Sequence, residues 1–211
     1  MVRASILAAS LAIGGAAAAQ LSSSAPERVR GDVVAVSGNT ITVKTREGQT
    51  MTLKLADDAR VSLAAKGDLS DVRDGTFIGT TAVPQPDGNL RAIEVHVFPD
   101  SMRGTGEGHR PWDLQPGSTM TNATVSAAGS SSTMTNATVS KMAGRKLTLK
   151  YSGGEKTVVL PPDVKVVRIE PADKSRLSPG AHLFAVASRQ PDGTLRADRV
   201  IVGKDGLVPP M

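Results

Sequence analysis

The sequence predicts an all-β fold of two small barrels in tandem, joined by a Gly/Ser-rich linker and preceded by a signal peptide. Three observations predict it: an apolar N-terminal segment, short runs of alternating apolar and polar residues from Asp32 onward, and a long internal repeat. No ten-residue stretch beyond the leader combines helical apolar spacing with capping residues. The mature chain should therefore fold almost entirely as strands and turns.

Residues 1–19 have the three parts of a secretory signal peptide. Arg3 supplies a positive charge, residues 6–13 are apolar, and three alanines end the segment at Ala19. We expect cleavage after Ala19 and export to the periplasm. The apolar run is much shorter than the roughly 20 residues that cross a bilayer. A membrane-spanning protein is therefore not expected.

The composition excludes several classes of function. The 211 residues include no cysteine, which excludes disulfides, thiolate metal ligands and cysteine catalysis. The net charge of +5 is a mild excess, typical of a solvated exterior. Five aromatic residues (one Trp, one Tyr and three Phe) are too few for the stacking platforms of a nucleic-acid-binding barrel, so no nucleic-acid partner is expected.

A repeat at a spacing of 105 residues divides the mature chain. Residues 85–88, Gln-Pro-Asp-Gly, recur as residues 190–193, and Leu-Arg-Ala at 90–92 recurs at 195–197. Proline presets φ and glycine accepts a positive φ, so each Pro-Asp-Gly predicts a hairpin turn. The chain should therefore contain two homologous domains.

Each copy contains five or six short strand-like runs, too few to bury the apolar face of a flat sheet. Closing the sheet into a small barrel solves this problem. We place the first barrel at residues 28–100 and the second at 137–205, followed by a tail at 206–211.

The linker between the copies, residues 101–136, is rich in Gly, Ser, Thr and Met. The nonapeptide STMTNATVS occurs at residues 118–126 and again at 132–140. One copy should supply the first strand of the second domain. We favour the second copy, because it adjoins KMAGRKLTLKY at hairpin distance, and the other copy would then be a surplus loop or an alternative register.

The stretch GDVVAVSGNTITVKTREGQTMTLKL, continued by GTFIGTTAVPQPDGNLRAIEVHVF, resembles the DUF5666 family of exported bacterial domains. The resemblance covers residues 28–100 and, more loosely, 137–203. It implies a small OB-like β-barrel. The linker and the tail resemble a two-domain proteobacterial subgroup, some members of which are labelled metal ABC transporter permease components. This chain has no membrane-spanning segment after the leader, so the label implies at most a metal context.

The linker stretch GTGEGHRPWDL, residues 104–114, concentrates the rare side chains. Trp112 has two interpretations. It anchors the linker between the barrels, or it is exposed beside His109 and Arg110 and contacts a ligand or partner.

The same linker offers a candidate metal site. Glu107, His109 and Asp113 are ligands suited to Zn²⁺ or another divalent ion, and Met102, Met120 or Met134 would suit Cu(I). The alternative is that the two acids pair with Arg103 or Arg110 in a solvated loop.

The other two histidines lie on predicted strands. Alternation places Ile93, Val95 and Val97 inward, so Glu94 and His96 should face water. His182 replaces Phe77 at a strand start and should be partly buried and hydrogen-bonded.

No nucleophile elbow, P-loop, dinucleotide fingerprint or zinc-protease motif occurs in the sequence, so no enzyme is expected. The predicted function is an exported, non-enzymatic binding or scaffold module whose partner is an envelope protein or a small ligand. No cofactor is expected. The alternative is a metal-handling accessory protein of the cell envelope that binds a divalent ion or copper through the linker.

Overall fold

The computed structural model describes residues 26–130 and 145–211, and the prediction of an all-β chain is confirmed. The predicted signal peptide lies outside these residues. None of the described helices is long and apolar enough to cross a membrane. The four helices are single 3-10 turns, at Leu69–Asp71, Asp100–Met102, Lys174–Arg176 and Lys204–Gly206. The strands are β1 (Glu27–Ser37), β2 (Thr40–Thr45), β3 (Thr50–Lys66), β4 (Phe77–Pro84), β5 (Leu90–Val97), β6 (Gly108–Pro111), β7 (Thr119–Ser130), β8 (Arg145–Tyr151), β9 (Gly154–Leu160), β10 (Lys165–Ala172), β11 (His182–Arg189) and β12 (Leu195–Gly203).

Five strands close into a barrel, called the first barrel below. Strand β1 pairs antiparallel with β2 and β11, β2 pairs with β3, and β11 pairs with β12. The parallel pairing of β12 with β3 closes the barrel. Its interior holds a core of small and branched apolar side chains: Val29, Val33, Ile41, Val43, Leu53, Leu55, Val61, Leu63, Leu177, Leu183, Ala185, Ala187, Leu195, Ala197, Val200 and Val202.

Five further strands form a second ring in the order β5-β4-β7-β8-β9. Two residue pairs, Leu90 with Val158 and Arg91 with Val159, join β5 to β9 and complete it. A separate apolar core fills this ring: Val72, Ile78, Ala82, Leu90, Ala92, Val95, Ala123, Val125, Leu147, Leu149, Val158, Leu160 and Val166. Strand β10 joins the two rings, since it pairs antiparallel with β3 and parallel with β5.

The two copies of the repeat exchange their last hairpins, so the rings do not follow the expected boundaries 28–100 and 137–205. Hairpin β4–β5 of the first copy lies in the second ring, and hairpin β11–β12 of the second copy lies in the first barrel. Strand β3 explains the difference, because it continues for 17 residues and pairs with β10 instead of turning back. Either hairpin satisfies the same alternating pattern, so the sequence identifies the strands without identifying their partners.

The exchange is symmetric. Leu53 on β3 pairs with Leu195 on β12, and 105 residues later Val158 on β9 pairs with Leu90 on β5. A pseudo-twofold axis therefore relates the strand pairings of the two copies.

The predicted Pro-Asp-Gly hairpin turns are confirmed. The Gly88 N–H donates to the Gln85 carbonyl at 3.0 Å, and the Gly193 N–H donates to the Gln190 carbonyl at 2.9 Å. Both glycines have a φ near the left-handed region, 81° and 83°, where a side chain would be strained.

The first copy of STMTNATVS supplies strand β7, where the sequence analysis favoured the second copy. Thr124 of β7 pairs with Phe77 of β4 in the second ring. At the equivalent place in the first barrel, Asp32 of β1 pairs with His182, which is the counterpart of Phe77. Residues 118–126 reach this position as the second strand of the β6–β7 hairpin, and β7 also pairs with β8. Much of the expected linker 101–136 is thus part of the sheet. The second copy lies outside the described residues.

A third apolar cluster, called the seam cluster below, contains residues of β3, β10, β11 and β12 together with Met211. Its buried members are Ala64, Val167, Ile169, Phe184, Ile201 and Met211, and Phe98, Met102, Trp112, Val186 and Leu207 pack against them partly buried. Met102 and Leu207 correspond across the pseudo-twofold axis. The seam cluster is therefore where the segments outside the rings attach.

Candidate functional site

The stretch 104–114 leads into β6 and onto the outside of the first barrel. Strand β6 pairs only with β7 and lies off the ring. The residues that follow β6 fold back through Ser118, whose hydroxyl donates to the Gln115 carbonyl at 2.7 Å. This turn directs Trp112 and Asp113 toward β1.

Trp112 packs against the seam cluster. Its ring lies 6.2 Å from the ring of Phe184 between centroids, and the Arg28 guanidinium lies 4.0 Å above it. That geometry is a cation–π contact combined with aromatic packing. The indole Nε1 is buried and has no hydrogen-bond partner among the described residues. Packing rather than hydrogen bonding therefore holds the indole.

Asp113 fixes the same turn through arginines of β1. Its carboxylate accepts two hydrogen bonds from Arg30, at 2.7 and 3.2 Å, and lies 3.6 Å from Arg28. Burial raises the pKa of Asp113, but the hydrogen bonds and positive charges of Arg30 and Arg28 outweigh burial and lower it. Asp113 is thus an ion-pair residue that docks the turn.

Glu107 and His109 are each engaged elsewhere. Glu107 Oε1 accepts a hydrogen bond from the Ser152 N–H at 2.7 Å. His109 Nδ1 lies 2.8 Å from Thr121 Oγ1, and its ring stacks on Tyr151. Burial, followed by the charges of Lys156 and Arg110, lowers the pKa of His109.

The predicted metal ligands are not brought together. No group of three or more His, Cys, Asp or Glu side chains within 26–130 and 145–211 could hold a metal ion. Met102 packs against the seam cluster, and Met120 is buried in β7. Met134 lies outside the described residues.

Arg110, predicted as a contact residue, belongs to a group of arginines. Its Nη1 donates to the Gly106 carbonyl at 2.7 Å, and its guanidinium lies 5.7 Å from the Trp112 ring. Burial, then the charges of Arg28 and Arg199, lower the pKa of Arg110. The guanidinium groups of Arg110 and Arg199 both approach Gly106. A Cβ placed on this glycine would lie 3.4 Å from Arg110 Nη2 and 4.0 Å from Arg199 Nη1.

A cleft of about 420 Å³ opens beside these arginines, and we call it the seam cleft. Its volume is in the range of small-molecule sites. Strand β3 lines one wall and the segment around Asp100–Met102 lines another. The polar residues that line it are Arg60, Ser62, Ser101, Thr105 and Arg199. Sequence reasoning missed Arg60 and Arg199, because only the parallel pairing of β3 with β12 makes them neighbours.

Glu94 and His96 are buried, 1% and 2% exposed, which corrects the prediction that they face water. Glu94 Oε1 accepts a hydrogen bond from Thr81 Oγ1 at 2.7 Å and lies 3.3 Å from His96 Nε2. The outer face of β5 is covered, since His96 pairs with Val167 of β10 and its Nε2 lies 3.3 Å from the Pro210 carbonyl oxygen. Strand β10 and the tail supply this cover.

His182 is partly exposed, and its Nδ1 lies 2.5 Å from Asp32 Oδ1. This agrees with the prediction of a partly buried, hydrogen-bonded histidine at the start of a strand. Over the described part of the chain, no serine hydroxyl hydrogen-bonds to an imidazole. These contacts form no Ser-His-Asp relay.

No family model, no curated protein sequence and no solved structure matches this chain.

Proposed function

We propose that this chain is an exported, non-enzymatic binding module of the periplasm that takes a small ligand into the seam cleft. One observation carries the proposal. Arg60 and Arg199 are register partners at this cleft, whereas their counterparts across the pseudo-twofold axis are Lys165 and Glu94. At the equivalent position the Glu94 carboxylate contacts Thr81 and His96. Two guanidinium groups that line one cleft, at only one of the two equivalent positions, favour a ligand-binding role there.

The sequence also supports the proposal of an exported binding module. The motifs of residues 28–100 support a DUF5666-like protein, and closure of five strands in the first barrel is compatible with an OB-like fold. The leader at residues 1–19 supports export. In this proposal, Trp112 and Asp113 hold the β6 segment beside the cleft, and Arg110 adds positive charge to it.

Native mass spectrometry of the protein purified from the periplasm under mild conditions tests this function. We expect a population of higher mass that carries a small molecule, and we expect Arg199→Gln to lose that molecule. Arg91→Gln, which changes an exposed arginine on β5, should retain it. A parent protein that stays ligand-free after incubation with periplasmic extract would overturn the proposal, as would a ligand that both variants retain.

A further inference from the structure

The seam cleft brings two like charges to one register position of the sheet. Arg60 and Arg199 lie directly opposite each other on parallel strands, and like charges in that position destabilise a sheet. Burial of Arg199, followed by the charge of Arg60, lowers its pKa against the opposing charge of Asp198. At the equivalent register position, Lys165 lies beside Glu94, whose carboxylate contacts Thr81 and His96.

No acidic side chain forms an ion pair with Arg60 or Arg199 in the part of the chain that the structure describes, although the charge of Asp198 partly offsets that of Arg60 at Arg199. In the described ranges, no carboxylate lies within 4.0 Å of the guanidinium nitrogens of Arg60, Arg110 or Arg199. Asp198, which adjoins Arg199 in sequence, lies 3.6 Å from Arg196 instead. Residues 1–25 and 131–144 contain no Asp or Glu at all. The lining of the cleft thus carries two positive charges and no carboxylate.

We infer that the seam cleft binds the phosphoryl group of a small molecule through Arg60 and Arg199. Guanidinium groups suit tetrahedral oxyanions because they present several N–H donors in a planar fork. Ser62, Ser101 and Thr105 line the same cleft and offer hydroxyl groups as further donors. Arg110 adds a third positive charge next to Arg199. A phosphoryl group, with a charge of about −1.5 to −2 at neutral pH, offsets more of this repulsion than a monocarboxylate does.

The inference rests on the proposed function, and titration of the full mature chain with inorganic phosphate tests it separately. Two-dimensional NMR at constant ionic strength should show saturable amide shifts at residues 59–62, 101–105 and 199. Arg60→Gln and Arg199→Gln should each weaken binding roughly tenfold, because each removes a charge-assisted hydrogen bond. Arg91→Gln is the matched control and should bind as the parent does.

A charge-reversed variant separates binding from folding. Arg199→Glu places a carboxylate opposite Arg60, so the thermal midpoint should stay at or above that of the parent while phosphate binding is lost. Unsaturable shifts, equal affinity of all variants, or acetate binding as tightly as phosphate would each overturn the inference. If native mass spectrometry still finds a ligand that Arg199→Gln loses, only its chemical class is wrong and the binding function stands.

The phosphoryl group has two possible sources, a soluble metabolite and a lipid headgroup. Co-sedimentation with phosphatidylglycerol vesicles, compared with phosphatidylcholine vesicles, distinguishes them. Binding to the anionic vesicles that Arg199→Gln abolishes identifies the headgroup. Phosphate binding without vesicle binding identifies a soluble phosphorylated compound.

Discussion

Leu195 lies beside Leu53 in parallel register, although the two leucines come from different copies of the repeat. Both side chains are buried in the core of the first barrel. That core can therefore form only when the last hairpin of the chain returns to the first three strands. Folding of the first barrel thus depends on residues more than 140 positions apart, a long-range closure that slows folding.

Cysteine cross-linking should detect the exchange of hairpins. Asp32 and His182 are register partners on β1 and β11, and both side chains are partly exposed. Because the chain has no native cysteine, Asp32→Cys combined with His182→Cys should form one disulfide on mild oxidation. Denaturing gel electrophoresis would show the cross-linked chain at altered mobility.

The matched control combines Asp32→Cys with Phe77→Cys. Phe77 in the first copy corresponds to His182, so a barrel built from one copy would bring residues 32 and 77 together. We expect no cross-link in this control. The opposite pattern would show that each copy closes its own barrel.

Trp112 should contribute to stability as an anchor of the seam. Trp112→Ala removes the contacts with Phe184 and Arg28, and we expect a loss of about 2 kcal/mol in urea unfolding, since the indole is only partly buried. Trp112→Phe should cost less than about 1 kcal/mol, because the indole N–H has no partner to lose. An alanine variant as stable as the parent would instead favour an exposed contact role for Trp112.

Glu94 should be more sensitive to substitution than an exposed glutamate. Glu94→Ala leaves the buried Thr81 hydroxyl without its acceptor and creates a cavity. Together these effects should lower the free energy of unfolding by about 2–4 kcal/mol. Glu94→Gln keeps an acceptor oxygen and should cost roughly half as much. Glu155→Ala, on an exposed position of β9, should unfold at the same urea concentration as the parent. Equal stability of all three variants would mean that Glu94 is solvated.

The ion pair of Asp113 should make part of the stability depend on pH. The native pKa of Asp113 is lowered, so its contribution is complete above the unfolded pKa, about 4, and is lost as the pH falls through the native value. Asp113→Asn should thus be less stable than the parent at pH 7, by under about 1 kcal/mol because the side chain is 44% exposed. In thermal melts the difference should shrink as the pH falls from 7 and disappear once the pH is below the native pKa of Asp113. Asp58→Asn, at 91% exposure, should match the parent at every pH.

The strands and turns could be predicted from the sequence, because alternation and Pro-Asp-Gly are local signals. The choice of partner strand could not, since hairpins β4–β5 and β11–β12 carry the same pattern and fit either ring. The burial of Glu94 and His96 was missed for a related reason. A bulge shifts the register between β4 and β5 beside Ile93, and β10 then covers the face that alternation assigns to water. The arginine pair of the seam cleft was missed because it depends on the pairing of β3 with β12, which are far apart in the sequence.

The fold should need only one copy of the nonapeptide STMTNATVS, the copy at residues 118–126 that lies in β7. Deleting residues 127–140 removes one 14-residue unit, which includes the last four residues of β7, and joins Ser126 to Lys141, so that residues from 141 onward must take over the pairing with β8. By analogy with the β1–β2 hairpin, which turns at Gly38, the shortened connection would turn at Gly144. Shortening a loop changes its closure entropy by only about 0.6 kcal/mol per twofold change in length. The thermal midpoint should therefore stay within a few degrees of the parent.

Deletion of residues 118–140 is the control, since it removes both copies and leaves β4 and β8 without their common partner β7. This longer deletion should abolish cooperative unfolding, as followed by circular dichroism. If the 14-residue deletion unfolds the protein as well, the second copy has a structural role of its own. If it raises the thermal midpoint, the duplicated copy competes with β7 for the edges of β4 and β8 in the intact chain.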